Sequence, residues 1–291
     1  GKGKANIVPS GNIEFIQLNP TDPWTEVDGE RASIKSKHFA FSEPAVRQAM
    51  ALVADRQGIQ DFIYGRTGTA TANFLNNPSR FRSPNNKFEF NTDKANAILE
   101  AAGWKKGADG IREKGGKKLK FVYQTSVNAL RQKEQAVVKQ GAQKAGIELE
   151  LKSVTASVFF SSDVANPDTY GKFWADMQMY TTTMTQPDPE RFMDQYTSWE
   201  VSSKANKWQG RNICRWVNDE YDKTYRAAEG ELDPVKRAAL FIRLNDLPVK
   251  DGVIIPLIAR PRVNGTHLKL VAMPSGWDLD FSALQNWYRE A

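Results

Sequence analysis

Residues 119–154 carry the pattern that most restricts what this chain can become. Leu119, Phe121 and Tyr123 fall on one side of an alternating run within KLKFVYQTS. A helical stripe follows from about Ala129 to Ala145, where Leu130, Glu134, Val137, Val138, Gly141 and Ala145 share one face and Gly146 stops the helix. IELELKSV then alternates again, with Ile147, Leu149 and Leu151 on one side. Strand, helix of about four turns and strand make a βαβ unit, with parallel strands and a right-handed crossover. Parallel strands need helices over their faces, so the chain reads as α/β.

The rest of the chain fits around that unit. NIEFIQLN (12–19) alternates as a strand, and the polar stretch TDPWTEVDGERASIKSKH after it holds no regular element. Ser42-Glu43-Pro44 starts a helix, with Ser42 as cap and Val46, Ala49, Met50 and Val53 as its apolar stripe. Asp55 caps a second helix that turns Ile59, Phe62 and Ile63 inward and ends at Gly65. Residues 65–90 are irregular, yet Phe74, Leu75, Phe81 and Phe88 mark them as a packed loop. A short helix spans Asp93 to Ala102, and residues 110–123 form a hairpin turning at Gly115-Gly116. Further short helices begin at Ser157, at Asn218 or Asp219, and at Asp233-Pro234, the last kinked or ended by Pro248. VIIPLIARPRV is a mostly buried strand, and the final residues, rich in Trp, show little periodicity.

Composition excludes several classes. The 291 residues are 40% apolar, enough for one large or two modest domains, but no apolar run reaches the roughly 18–20 residues of a membrane helix. The net charge of +6 is scattered among acids and forms no continuous basic face, which argues against nucleic acid as partner. A single cysteine, Cys214, permits no internal disulfide, and with only two histidines, His38 and His267, no common zinc site. Both histidines read as surface or structural groups. No GxSxG, HExxH, CxxC or GxGxxG motif stands at a confirming position, so no catalytic residue, metal or cofactor is assigned. The chain opens GKGKANIV without Met, as a mature or excised piece would.

One stretch looks functional. A strand over Trp174 to Tyr180 runs into YTTTMTQPDPERF, a polar corner closed by a helix starting at Asp188 or Pro189. Small ligands in α/β proteins bind where strand ends open into such loops.

The order of these elements resembles one family. SEPAVRQAMALVADRQGI resembles the D-x-x-V-R-Q-A … A-x-D-R-x-x-I signature of family 5 extracellular solute-binding proteins, the peptide-, nickel- and opine-binding receptors of ABC importers. NTDKANAILEAAGW, AGIELELKSV, QPDPERF, NICRWVNDEYDKTY and DPVKRAALFIRLNDLPVKDGVIIPL resemble later family elements in the same order, so the likeness covers essentially the whole chain. It implies a type II periplasmic-binding-protein-like lobe: a mixed β-sheet flanked by helices around the βαβ core. Residues 1–265 would be ligand-binding lobe II, and 266–291 a return segment packing on an N-terminal lobe outside this chain. The implied role is capture of a small polar solute (oligopeptide-like, opine or sugar) in the periplasm by a monomer that delivers it to ABC permease subunits. The alternatives are a hydrolase acting on a small peptide or sugar, or a ligand sensor or chaperone on the same fold. The ligand residues so implied are Thr183, Met184, Thr185 and Gln186, joined by Asn212, Arg215, Asn73 and Asn19. Two departures stand out: Thr185 replaces the Asp that holds the amino group in peptide-binding members, and Thr183 the aromatic residue of nickel-binding ones.

Overall fold

A computed structural model describes residues 2–277 and 283–291. Its six-stranded sheet has the order Thr69–Ala70, Ile254–His267, Gly3–Leu18, Met177–Met184, Lys120–Ser126, Glu148–Val154. Gly3–Leu18 is antiparallel to both neighbours, and the last three strands are mutually parallel, so the sheet is mixed. The βαβ unit forms as its pattern predicts: Lys120 to Ser126 pair with Glu148 to Val154 across the helix Ala129–Lys144. Asn128 starts that helix, its side chain accepting the backbone N–H of Leu130 and Arg131.

Period-two alternation divides the core between the two faces. Ile16, Leu18, Phe121, Tyr123, Met177 and Met179 pack with Val46, Ala49 and Met50 of the helix Pro44–Leu52 and with Val138 and Ala142 of the βαβ helix. Ile13, Phe15, Tyr180 and Ile254 turn the other way, against Phe74, Phe192, Tyr196, Tyr221 and Phe241. Phe15 alone meets Phe74 and Tyr180 edge-on, with ring centroids 5.0 and 4.9 Å away. Each such side chain contributes roughly 1.5–3 kcal/mol through burial.

The loop 65–90 is packed, with Phe74, Leu75 and Phe81 buried. Its backbone is satisfied from afar: Asn245 Oδ1 accepts the N–H of Phe74 at 2.8 Å and of Leu75 at 2.9 Å. Asn245 lies on the helix Pro234–Asp251, which runs through Pro248 and stops only at Gly252, where φ is +82°.

Other elements depart from the sequence reading. Residues 110–123 are not one hairpin. Arg112–Lys114 and Lys117–Lys118 turn at Gly115-Gly116 and join Lys105–Lys106, while Lys120–Ser126 enters the main sheet. The switch occurs at Leu119, whose N–H bonds to Arg112 O and whose carbonyl accepts from Glu148 N. Glu43, not Ser42, precedes the first helix, and its carboxylate takes Lys114 at 2.9 Å. Phe62 points outward at 89% exposure, because Gln60–Tyr64 forms a π turn that rotates Tyr64 inward instead. Leu151, on the edge strand, is 37% exposed. The helix expected from Ser157 is one turn, Ala156–Phe159, and the one at Pro189 is Glu190–Met193. The polar stretch after the first strand contains a small ladder, Glu26–Val27 with Glu30–Arg31. His38 is a buried structural group, its ring 2.9 Å from Asp176 and accepting the N–H of Ala40 and Phe41.

Beyond the sheet the first and last long strands continue as a pair. Gly3 to Val8 match His267 to Arg262, with a register shift between Val8 and Asn12. The division expected at residue 265 therefore falls inside a strand. Past it, Leu270–Val271 pairs with Tyr288–Arg289, and part of the expected return segment (278–282) lies outside the described residues.

Candidate ligand-binding pocket

The site grows from the Met177–Met184 strand. Its pairing with Lys120–Ser126 covers Met177 to Met179, whereas its pairing with Gly3–Leu18 extends to Met184. The strand is thus flanked on only one side from Tyr180 onward. A pocket of about 330 Å³ opens there, lined by Tyr180, Thr181, Thr182 and Thr183. It lies past the carboxyl ends of parallel strands, where α/β sheets hold ligands.

Two loops complete the walls. Residues 160–164 and 169–172, after the one-turn helix, supply Phe160, Asp163, Tyr170 and Lys172; residues 207–213 supply Lys207, Trp208, Gln209 and Arg211. Phe160 is 44% exposed and stacks edge-on with Tyr170 at 5.5 Å, giving an apolar wall. Lys172 is buried, and its ammonium donates to Val164 O at 2.6 Å. The same ammonium sits 4.8 Å from the Trp174 ring centroid and 4.6 Å from that of Trp208, whose planes are perpendicular. Arg211 is tethered behind the pocket by Asp194 at 2.7 Å. Burial pushes the Asp194 carboxyl up to about 6, outweighing the pull of Arg211 and Arg191.

Beneath the floor lies a buried charge cluster. Glu14 accepts from Arg131 at 2.7 Å and from Arg260 at 3.1 Å. The Thr181 hydroxyl donates to Glu14 and accepts from Arg131 at 2.9 Å and Arg260 at 2.8 Å. Thr181 is therefore fully engaged by protein, which leaves Thr182 and Thr183 as the hydroxyls available to a ligand. Next to it, Tyr64 donates to Glu134 Oε1 at 2.6 Å, while Glu134 Oε2 is buried without a partner. Desolvation first, then the Glu14 charge, pushes the Glu134 carboxyl up to about 8.

The structure gathers few of the residues expected from sequence. Thr183 lines the pocket; Thr185 and Gln186 are exposed just beyond its strand. Met184 is a correction: it is buried in the apolar core, close against Gly11. Asn19, Asn212 and Arg215 are further corrections, all buried with their donors bound to backbone carbonyls. Asn19 Nδ2 serves Phe173 and Ala175, and Asn212 Nδ2 serves Thr197 and Trp216. Arg215 reaches the carbonyls of Ser202, Ile213 and Lys172. Asn73 borders a separate open hollow of about 610 Å³ and is held by Ser83 O, Asn86 and Asn245. Phe160, Tyr170, Lys172 and Trp208 were not singled out from sequence. The one available signal was the run Lys207-Trp208-Gln209-Gly210, an aromatic between polar groups in a loop.

Among the described residues, no group of three or more His, Cys, Asp or Glu is placed to hold a metal ion. Nor is any helix of those residues long and apolar enough to cross a membrane.

Comparison with known proteins gives the same architecture. The oligopeptide-binding protein AppA of Bacillus subtilis is 31% identical over 243 residues, covering 77% of this chain and 42% of that protein. The structure of AppA with a nonapeptide superposes with a TM-score of 0.78 at 22% identity, covering 100% of this chain and 53% of that one. An oligopeptide-binding protein of Thermus thermophilus with a pentapeptide gives 0.78 at 24%, covering 95% and 46%. NikZ of Campylobacter jejuni with Ni(L-His) gives 0.78 at 17%, covering 99% and 54%. These are type II periplasmic-binding-protein folds, and the chain spans about half the length of the relatives it matches. The model of the bacterial extracellular solute-binding proteins, family 5 Middle, matches residues 1–204, so this chain belongs to that family.

Proposed function

We propose that this chain is one lobe of a substrate-binding receptor of an ABC importer, acting outside the cytoplasm. It supplies one wall of a two-lobed cleft that closes on a small polar solute and then docks on membrane permease subunits. The observation that carries this reading is the pocket at the one-sided end of Met177–Met184, lined by Thr182 and Thr183 together with Phe160. Hydrogen-bonding groups beside aromatic surface are what reversible capture requires. The solute is peptide-like, an opine or a sugar. Residues 1–265 form the ligand lobe, and the return segment after it packs on the other lobe. Thr183, Thr185 and Gln186 remain the proposed contacts from the sequence, with Lys172, Lys207, Trp208 and Arg211 added by the pocket's geometry.

The test is a thermal-shift screen of peptides, opines, sugars and nickel chelates, run on the full-length protein and on this chain alone. Stabilisation of the full-length protein by one class, and little response from the isolated lobe, is the expected result. A full-length protein that responds to none of them would sink the reading.

A further inference from the structure

We infer that this half-site receives a carboxylate or comparable anionic group presented beside an apolar group, and not an ammonium. The inference rests on the solute-binding reading above and concerns only which end of the solute this lobe takes.

The charges around the pocket are unequal. Lys172, Lys207 and Arg211 line it, against a single lining carboxylate, Asp163. One Asp163 oxygen accepts the backbone N–H of Ala165 at 2.9 Å, and its charge already bears on Lys172. The nearby carboxylate of Asp194 is taken up by Arg191 at 2.8 Å and Arg211 at 2.7 Å. Among the described residues neither Lys172 nor Lys207 makes an ion-pair contact, Asp163 acting on Lys172 only from a distance, and Lys172 is fixed in place by a carbonyl and two indole faces. The strand end offers only hydroxyls, at Thr182 and Thr183. An ammonium brought here would lose water to meet one carboxylate, Asp163, already opposed by Lys172, whereas an anion would find an excess of positive charge in a partly water-excluded pocket. Phe160 and Tyr170 place apolar surface against the same volume, so the matching group carries a hydrophobic substituent next to its charge.

The probe is a hydrophobic tetrapeptide in four forms (free, N-acetylated, C-amidated, and C-amidated with one internal Glu), titrated calorimetrically into the full-length protein. C-terminal amidation should weaken binding tenfold or more, and N-acetylation less than threefold. Recovery by the internal Glu identifies an acidic side chain as an alternative source of the anion; no recovery assigns the site to the terminal carboxylate. Lys207→Gln should shrink the penalty of amidation from tenfold to less than threefold by weakening the free form, and Lys207→Arg should restore it. Thr183→Asp should shift preference toward the free amine. A larger loss on acetylation than on amidation overturns the inference. So does tight binding of a neutral sugar with no response to any peptide form, which leaves the receptor reading standing. Absence of binding by every class overturns both.

Discussion

Glu14, with no solvent exposure, lies 2.7 Å from the guanidinium of Arg131, so the first strand is tied to the first turn of the βαβ helix by a buried ion pair. Arg260 on the last long strand reaches the other Glu14 oxygen at 3.1 Å, and Thr181 on the pocket strand completes the set. Four elements thus meet at one carboxylate.

Glu14→Ala would leave Arg131 buried without its ion-pair partner. A loss of about 3–5 kcal/mol is expected, read by denaturant titration. In a double-mutant cycle, adding Arg131→Leu should restore part of the loss, because the orphaned charge goes with it. Equal, additive losses would show that the two side chains do not act as a pair.

The neighbouring carboxyl sets a pH dependence. Glu134 has its folded value raised to about 8, so between its ordinary value of 4.5 and 8 the folded state holds a proton that the unfolded state releases. Stability from this group is therefore complete below about 4.5 and declines as pH rises through 8. Asp194, raised to about 6, adds a slope of the same sign only at lower pH. Melting temperatures from pH 6.5 to 9 should fall, and Glu134→Gln should flatten that fall. A wild-type profile already flat over this range would refute the assignment.

Gly141→Ala tests packing against propensity. Alanine in a helix interior is normally better than glycine by about 1 kcal/mol. Here the added methyl would lie 2.1 Å from the Val53 carbonyl oxygen, where the end of the first helix crosses. The substitution should lower the melting temperature, and a rise would show that the two segments separate easily.

Asn245→Ala removes the acceptor for two buried N–H groups, those of Phe74 and Leu75. Each orphaned donor costs about 1–3 kcal/mol. Hydrogen exchange should accelerate in residues 65–90 well before the βαβ strands, whereas uniform acceleration would mean the loop is not separately anchored.

What the sequence made legible was period. Tyr123, Val138 and Leu149 announce a parallel strand pair and its helix, and the structure places them in one core. Lone polar residues were less readable. Asn212 and Arg215 carry the same side-chain chemistry whether they face solute or cap carbonyls in the interior, and only the chain path decides. Thr181 and Thr183 lie two residues apart on one strand: one is absorbed by a charge cluster, the other opens on the pocket. Lys172 was hidden for a different reason, since its place depends on Trp174 and Trp208, one near and one distant in sequence.

The pair of strands formed by Gly3 to Val8 and Arg262 to His267 has a mechanical consequence. A two-stranded ladder bends readily out of its plane, but sliding one strand along the other breaks several hydrogen bonds at once. Anything carried on the far end of this strap would move by bending of the ladder and not by one strand shearing past the other. Because both strands root beside Arg260 and Glu14, the pivot and the floor of the pocket rest on the same buried charges.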